Sequence, residues 1–236
     1  MTTAVASLQY GGETIPYFVR RMGSRKTLGI EVHPDGRVLI RAPIDCPESV
    51  IRERLSRRAS WISRQRAHFA RYQPRTPQRQ YVSGEAHLYL GRQYRLKAVT
   101  STEAGVRLSR GEIVVRIAGT ATPERVKMQL ETWYRARARE AFAEAVETSV
   151  RRFHTINRPR LIIRTMQARW GSLSPTGNMT LNVRLVQAPR ACIEYVVVHE
   201  LCHVLHRDHN SRFYGALDSL MPDWRKRKER LEAALV

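Results

Sequence analysis

The apolar pattern of this sequence predicts an α+β chain, β-rich at its start and helical at its end. Short apolar or alternating runs broken by Gly and Pro fill the first forty-odd residues and recur over residues 80–117. A long helical stripe follows each of these clusters. Near the end, the apolar run Tyr195-Val196-Val197-Val198 enters a helix carrying His199-Glu200-Leu201-Cys202-His203. The 236 residues suffice for one large domain or two small ones. They read as an N-terminal β-hairpin and helix region, 1–75, and a second domain, 76–236.

Strands are expected at Ile15–Arg20, Thr27–Val32 and Val38–Arg41, with Pro34-Asp35-Gly36 as a tight turn between the last two. Pro47 and Glu48 open a helix with an apolar face of Ile51, Leu55, Ala59, Ile62 and Phe69. Residues 72–80 lack periodicity, carry two prolines and read as a linker. Strands follow at Ala86–Leu90, Tyr94–Val99 and Glu112–Ile117, punctuated by Gly84, Gly91, Gly105 and Gly111. Thr122-Pro123-Glu124 starts a helix that continues to about Phe153, with a cap, a proline at the first position and an acid at the positive end.

Pro159 closes that connection, and a β-hairpin is expected over 160–187. Its first strand is Leu161–Met166 and its second Met179–Val186, with the turn Ser174-Pro175-Thr176-Gly177 between them. Pro189 precedes the histidine helix, expected at 191–205. Two helices fill 210–235, the first capped by Asn210 or Ser211 and the second opened by Pro222-Asp223. No internal repeat is legible.

Composition excludes some classes. No apolar run approaches the roughly 18–20 residues that span a bilayer, so no membrane partner is expected. The first residues have neither a basic nor an apolar leader segment. Three cysteines, Cys46, Cys192 and Cys202, form no CxxC, which fits a reducing cytoplasm. The net charge is +20, and only five of the 41 basic residues are lysines. An arginine-rich surface attracts polyanions without selecting one, so non-specific polyanion binding is expected of it.

The motif carries the chemistry. Residues four apart lie on one helix face, so His199 and His203 can reach one ion. Zinc takes neutral imidazole, and catalytic zinc sites typically have three protein ligands and a water. His209 is the third ligand by this reading, which requires the chain to turn back after His203. Glu200 lies next to the first ligand, placed to take a proton from water at the open position. His206 reads as a turn residue or a support to the ligands, with ligation by it as the alternative. Cys202 reads as a small buried residue of the same helix.

The chain resembles the YgjP-like metal-dependent hydrolases, relatives of the zincin peptidases and of the SprT and Wss-type proteases. The resemblance lies in Arg169-Trp170-Gly171-Ser172-Leu173-Ser174, Leu181-Asn182, Pro189, the HExxH helix and His209, and also in Gly84-Glu85, Leu90-Gly91-Arg92 and Tyr94. Leu173 stands where the family usually has Cys, and Asn210 and Tyr214 stand where it often has Ser and Trp. The likeness implies a zincin-like minimal metallopeptidase domain, one zinc per chain, and an edge strand near Asn182 beside the zinc helix. It places Arg169 and Trp170 at the cleft wall.

A zinc-dependent hydrolase of metallopeptidase type is therefore expected, with a peptide substrate. The first alternative is a UTP pyrophosphatase, an activity the resemblance implies for some members, with Arg169 and Arg184 cradling phosphates. A basic nucleic-acid-associated protein with a structural zinc is the second. The expected substrate-binding residues are Arg169, Trp170, Asn182 and Arg184.

Overall fold

The computed structural model describes residues 4–33, 35–70, 79–153, 156–167 and 169–235. The contacts divide the chain into two compact units, Met1–Thr76 and Pro77–Leu235. Most of the linker expected at 72–80 lies outside the described residues.

In the first unit, strands β1 (Ala4–Tyr10), β2 (Glu13–Arg21), β3 (Gly29–Val32) and β4 (Val38–Ala42) form a sheet of order β1-β2-β4-β3. β2 and β4 are parallel, and the outer pairs are antiparallel. Alternate residues of the two central strands point inward: Ile15, Tyr17 and Val19, then Val38, Ile40 and Ala42. Helix α1 (Glu48–Ala70) covers this face with Ile51, Leu55 and Ile62. Its apolar stripe follows the helical period, as its sequence requires.

The second unit begins with the same pattern. Strands β5 (Ala86–Tyr89), β6 (Arg92–Ser101), β7 (Gly105–Ser109) and β8 (Glu112–Ala118) have the order β5-β6-β8-β7, again with a parallel central pair and antiparallel flanks. Helix α2 (Pro123–Val150) follows. In both units the fourth strand ends on Ala, and Pro-Glu stands five residues on, at Ala42 and Pro47-Glu48 and at Ala118 and Pro123-Glu124. A ββββα module thus occurs twice, although no repeat is legible in the residues. The short strands β1 and β7 also escape the periodicity.

A three-stranded sheet and three helices complete the second unit. Strands β9 (Arg160–Arg164), β10 (Gly171–Leu173) and β11 (Asn178–Asn182) have the order β10-β11-β9. The hairpin expected over 160–187 is corrected here. β10 and β11 make the hairpin, and β9 joins β11 in parallel. The strand containing Asn182 is central, and the edge strand is β10. A short 3-10 helix, Val183–Gln187, takes up the end of the expected strand.

Helix α3 (Arg190–Leu205) then runs through the core, followed by α4 (Ser211–Leu220) and α5 (Trp224–Leu235). α2, α3 and the last two helices share one apolar core, in which Phe142, Val197, Phe213 and Leu231 are essentially fully buried. Among the described residues, no helix is long and apolar enough to cross a membrane.

The start of α3 is fixed by the β5–β6 turn. Leu90 and Gly91 donate their amides to the carbonyls of Val186 and Gln187, at 2.9 and 3.0 Å. Gly91 has φ +76°, and a Cβ there would stand 2.6 Å from Pro189 Cγ and 2.9 Å from its Cα. Only glycine meets both demands without strain. Gly91→Ala is expected to lower unfolding stability by more than ~2 kcal/mol, from left-handed strain plus a collision with backbone. A urea-unfolding midpoint within error of the wild type would contradict this account.

Candidate metal centre and active site

The site is built on the second half of α3. Cys192, Ile193, Val197, Val198, Leu201 and Cys202 are buried in the core, which turns His199 and His203 to the opposite, open side of the helix. Burial pushes the Cys202 thiol up to about 11, so it is a protonated core residue. α3 ends at His206, whose backbone is extended (φ −141°, ψ 111°). Four residues later Asn210 caps α4, its side-chain oxygen accepting from the Phe213 amide at 3.1 Å. That turn returns His209 to the first two histidines.

The imidazole nitrogens of His199, His203 and His209 lie within 4.8 Å of one another. His199 Nε2 and His209 Nε2 are 3.0 Å apart. His203 Nδ1 is 3.2 Å from the His206 carbonyl, which fixes Nδ1 as the protonated nitrogen and leaves Nε2 as a lone-pair donor. The buried Phe213 ring lies beneath all three, its centroid 4.6–5.0 Å from theirs. Burial, then the neighbouring His209 and His203, push His199 down to about 3. His209 is lowered mainly by burial and by His203. Convergent neutral imidazoles suit a borderline-soft divalent cation, and the three residues could hold one.

Glu200 faces the same cleft and is 7% exposed. Burial pushes its carboxyl up to about 7, while the Arg169 charge and the Leu173 backbone N–H oppose that rise. The approach of β10 to α3 is close. A Cβ on Gly171 would stand 2.8 Å from Glu200 Oε1 and 3.0 Å from Val196 Cγ1. The β10–β11 ladder bonds Asn182 N–H to Trp170 O and Ser174 N–H to Asn178 O, both at 2.9 Å. Antiparallel bonding alternates. The backbone groups of Gly171 and Leu173 therefore point away from β11, to the open edge. Leu173 N–H meets Glu200 there, and Gly171 N–H, Gly171 C=O and Leu173 C=O have no strand partner among the described residues.

Arg169, Trp170, Gly171, Tyr195 and the three histidines line a cleft of about 560 Å³ with Glu200. Of the residues expected to bind substrate, Arg169 and Trp170 reach it. Asn182 is buried behind it, donating its side-chain amide to the carbonyls of Met166 and Arg169 at 2.8 and 3.0 Å. It shapes the loop that presents Arg169. Arg184 also falls outside the cleft lining: it donates to the Leu235 carbonyl at 3.1 Å, and its guanidinium lies 5.9 Å from the Trp170 ring centre. His206 meets the ligands through its carbonyl.

Sequence reasoning missed Gly171, Phe213 and Tyr195. Tyr195 stacks on Trp224 (interplanar angle 11°), whose indole donates to Asp218 at 2.7 Å. Its place one helical turn before His199 was a usable signal. Phe213 carried no signal until the turn that brings back His209 was known.

Residues 26–234 match the family model described as YgjP-like, metallopeptidase domain. Among solved structures, the chain is similar to the metallopeptidase zymogen abylysin of Pyrococcus abyssi. The identity is 18% and the TM-score 0.36, over 38% of this chain and 90% of that one. The curated proteins gave no match.

Two outcomes are expected. In metal-free protein the folded-state pKa of Glu200 lies above the unfolded value, so the folded state holds an extra proton between about 4.5 and about 7. Stability from this source is lost as pH rises through that window. Glu200→Gln should therefore gain on the wild type between pH 5 and pH 8, towards a ceiling of about 3 kcal/mol. An unchanged difference in urea-unfolding stability across that range would refute the burial argument. Gly171→Ala should displace Glu200 and cut any hydrolytic turnover ~10-fold or more, while metal affinity by competition with a chelator stays within a few-fold.

Proposed function

The chain belongs to the YgjP-like metallopeptidase-domain family, and from that premise we propose that it is a zinc-dependent hydrolase cleaving extended peptide chains, with Glu200 as general base. The observation that carries this reading is the junction of three features in one cleft: the imidazole triad, a buried carboxylate beside it, and the open edge of β10. When bound at the triad, zinc would supply Lewis-acid activation of water and of the scissile carbonyl. Glu200, with its carboxyl raised towards neutrality, accepts the proton of the attacking water and returns it to the leaving amine. Gly171 N–H, Gly171 C=O and Leu173 C=O hold the substrate backbone by strand addition. Trp170 and Tyr195 wall the cleft, and Arg169 limits how far the Glu200 pKa climbs.

The alternatives draw less support. A closed structural zinc site has four protein ligands, whereas among the described residues the group of potential ligands here has three. A triphosphate calls for several converging cations. Arg169 reaches the cleft, but Arg184 serves the end of α5 and the Trp170 ring.

The test is hydrolysis of casein and of UTP by the zinc-loaded chain. Casein cleavage is expected, lost on chelation and restored by zinc. Glu200→Gln should keep the metal and lose ~10²–10⁴-fold in rate. UTP hydrolysis that dies with Glu200→Gln, alongside no cleavage of any peptide, would replace this reading with the nucleotide one.

A further inference from the structure

A second cavity, of about 590 Å³, meets the catalytic cleft at Leu173 and His203. Its walls are largely apolar: Ile156, Pro159, Leu173, Leu201 and Val204. Val204 and Leu205, just past His203 on the last turn of α3, are 53% and 46% exposed, and Val204 stands at the mouth of this cavity. Hydrophobic side chains left at a cavity mouth favour an apolar occupant.

The charges of this cavity are one-sided. Its lining contains no Asp or Glu, and Arg207 is its fixed charge. Among the described residues, Arg207 has no ion-pair or hydrogen-bond partner. Some arginines of this unit are paired across elements, Arg190 with Glu144 and Arg152 and Arg227 with Glu194, whereas Arg207 stands at the mouth of this cavity. A guanidinium without a partner at the rim of an apolar pocket is matched by a carboxylate, which it can bind bidentately.

We propose that this cavity is a specificity subsite for the part of a peptide substrate beyond His203. It takes an apolar side chain on its walls, and Arg207 holds a carboxylate that follows, from an acidic side chain or from the chain terminus. This rests on the peptide reading and adds the substrate class: apolar-acidic segments or apolar C-terminal ends. His203 joins the two sites, because its imidazole is a wall of both.

Binding is measured apart from turnover, by fluorescence anisotropy with the zinc-loaded full-length Glu200→Gln chain. Three labelled peptides share one apolar sequence. One ends in a free carboxylate, one in an amide, and one has Glu after the apolar residue and an amide end. At least one acidic peptide should bind ~10-fold or more tightly than the neutral amide, the usual worth of a charge-assisted contact. Which acidic peptide wins identifies the source of the carboxylate. Arg207→Gln in that background should erase the advantage and leave the affinity of the neutral peptide unchanged. Val204→Trp, at an exposed position, should fill the mouth and weaken all three. Equal affinities, no binding by any peptide, or an advantage that survives Arg207→Gln would overturn the proposal; the last result would mean the metal captures the carboxylate. Retained discrimination with no peptide cleaved by the wild-type chain would sink the hydrolase reading and leave this subsite standing.

Discussion

Strand β10 approaches helix α3 so closely at Gly171 that a Cβ there would stand 2.8 Å from the Glu200 carboxylate. This contact sets the distance between the strand that can bind an extended chain and the helix that carries the histidines. It also buries Glu200, and burial raises its carboxyl to about 7 against the pull of Arg169 and the Leu173 amide. A bulkier residue would push the strand outward, wet the carboxylate and lower its basicity. The backing of β10 serves the same end. Asn182 ties down the loop before it with two side-chain bonds, and β11 pairs with its inner edge.

The histidines follow a different physical rule. Burial and the neighbouring imidazoles lower the pKa of His199 and of His209, both of which lie against the Phe213 ring. These two rings therefore favour the neutral form that a metal ion needs. The His206 carbonyl selects the His203 tautomer by accepting from Nδ1. The helix termination that frees that carbonyl also begins the turn that returns His209. One local event, the end of α3, thus brings His209 to the other two histidines and orients His203.

Much of this was legible in the residues, for identifiable reasons. The helical period fixes His199 and His203 on one face, and Pro189, Asn210 and the apolar stripes mark where helices begin. What was not legible depends on partners distant in sequence. β10 is three residues long, too short to show alternation, and the family resemblance assigned the role of edge strand to the strand near Asn182. It is the central strand instead, because β9 pairs with it in parallel. Arg184 drew attention through proximity in sequence, but its guanidinium turns to the end of α5. Gly171 was legible only as part of the family motif, because nothing in its neighbourhood names Glu200, almost thirty residues on.

The twofold ββββα pattern carries a consequence of its own. The Ala-to-Pro-Glu spacing after the fourth strand is kept in both copies while most other residues differ. The copies differ at the tip of their first hairpin. In the second, Leu90-Gly91 grips the lead-in to α3; in the first, Gly11 and Gly12, both at positive φ, have nothing within 4 Å of where a Cβ would stand among the described atoms. The three convergent histidines, Glu200 and β10 all lie downstream of that clasp. Every residue that lines the cleft belongs to the last 86 of the chain, and the hairpin tip that positions α3 belongs to the first 150.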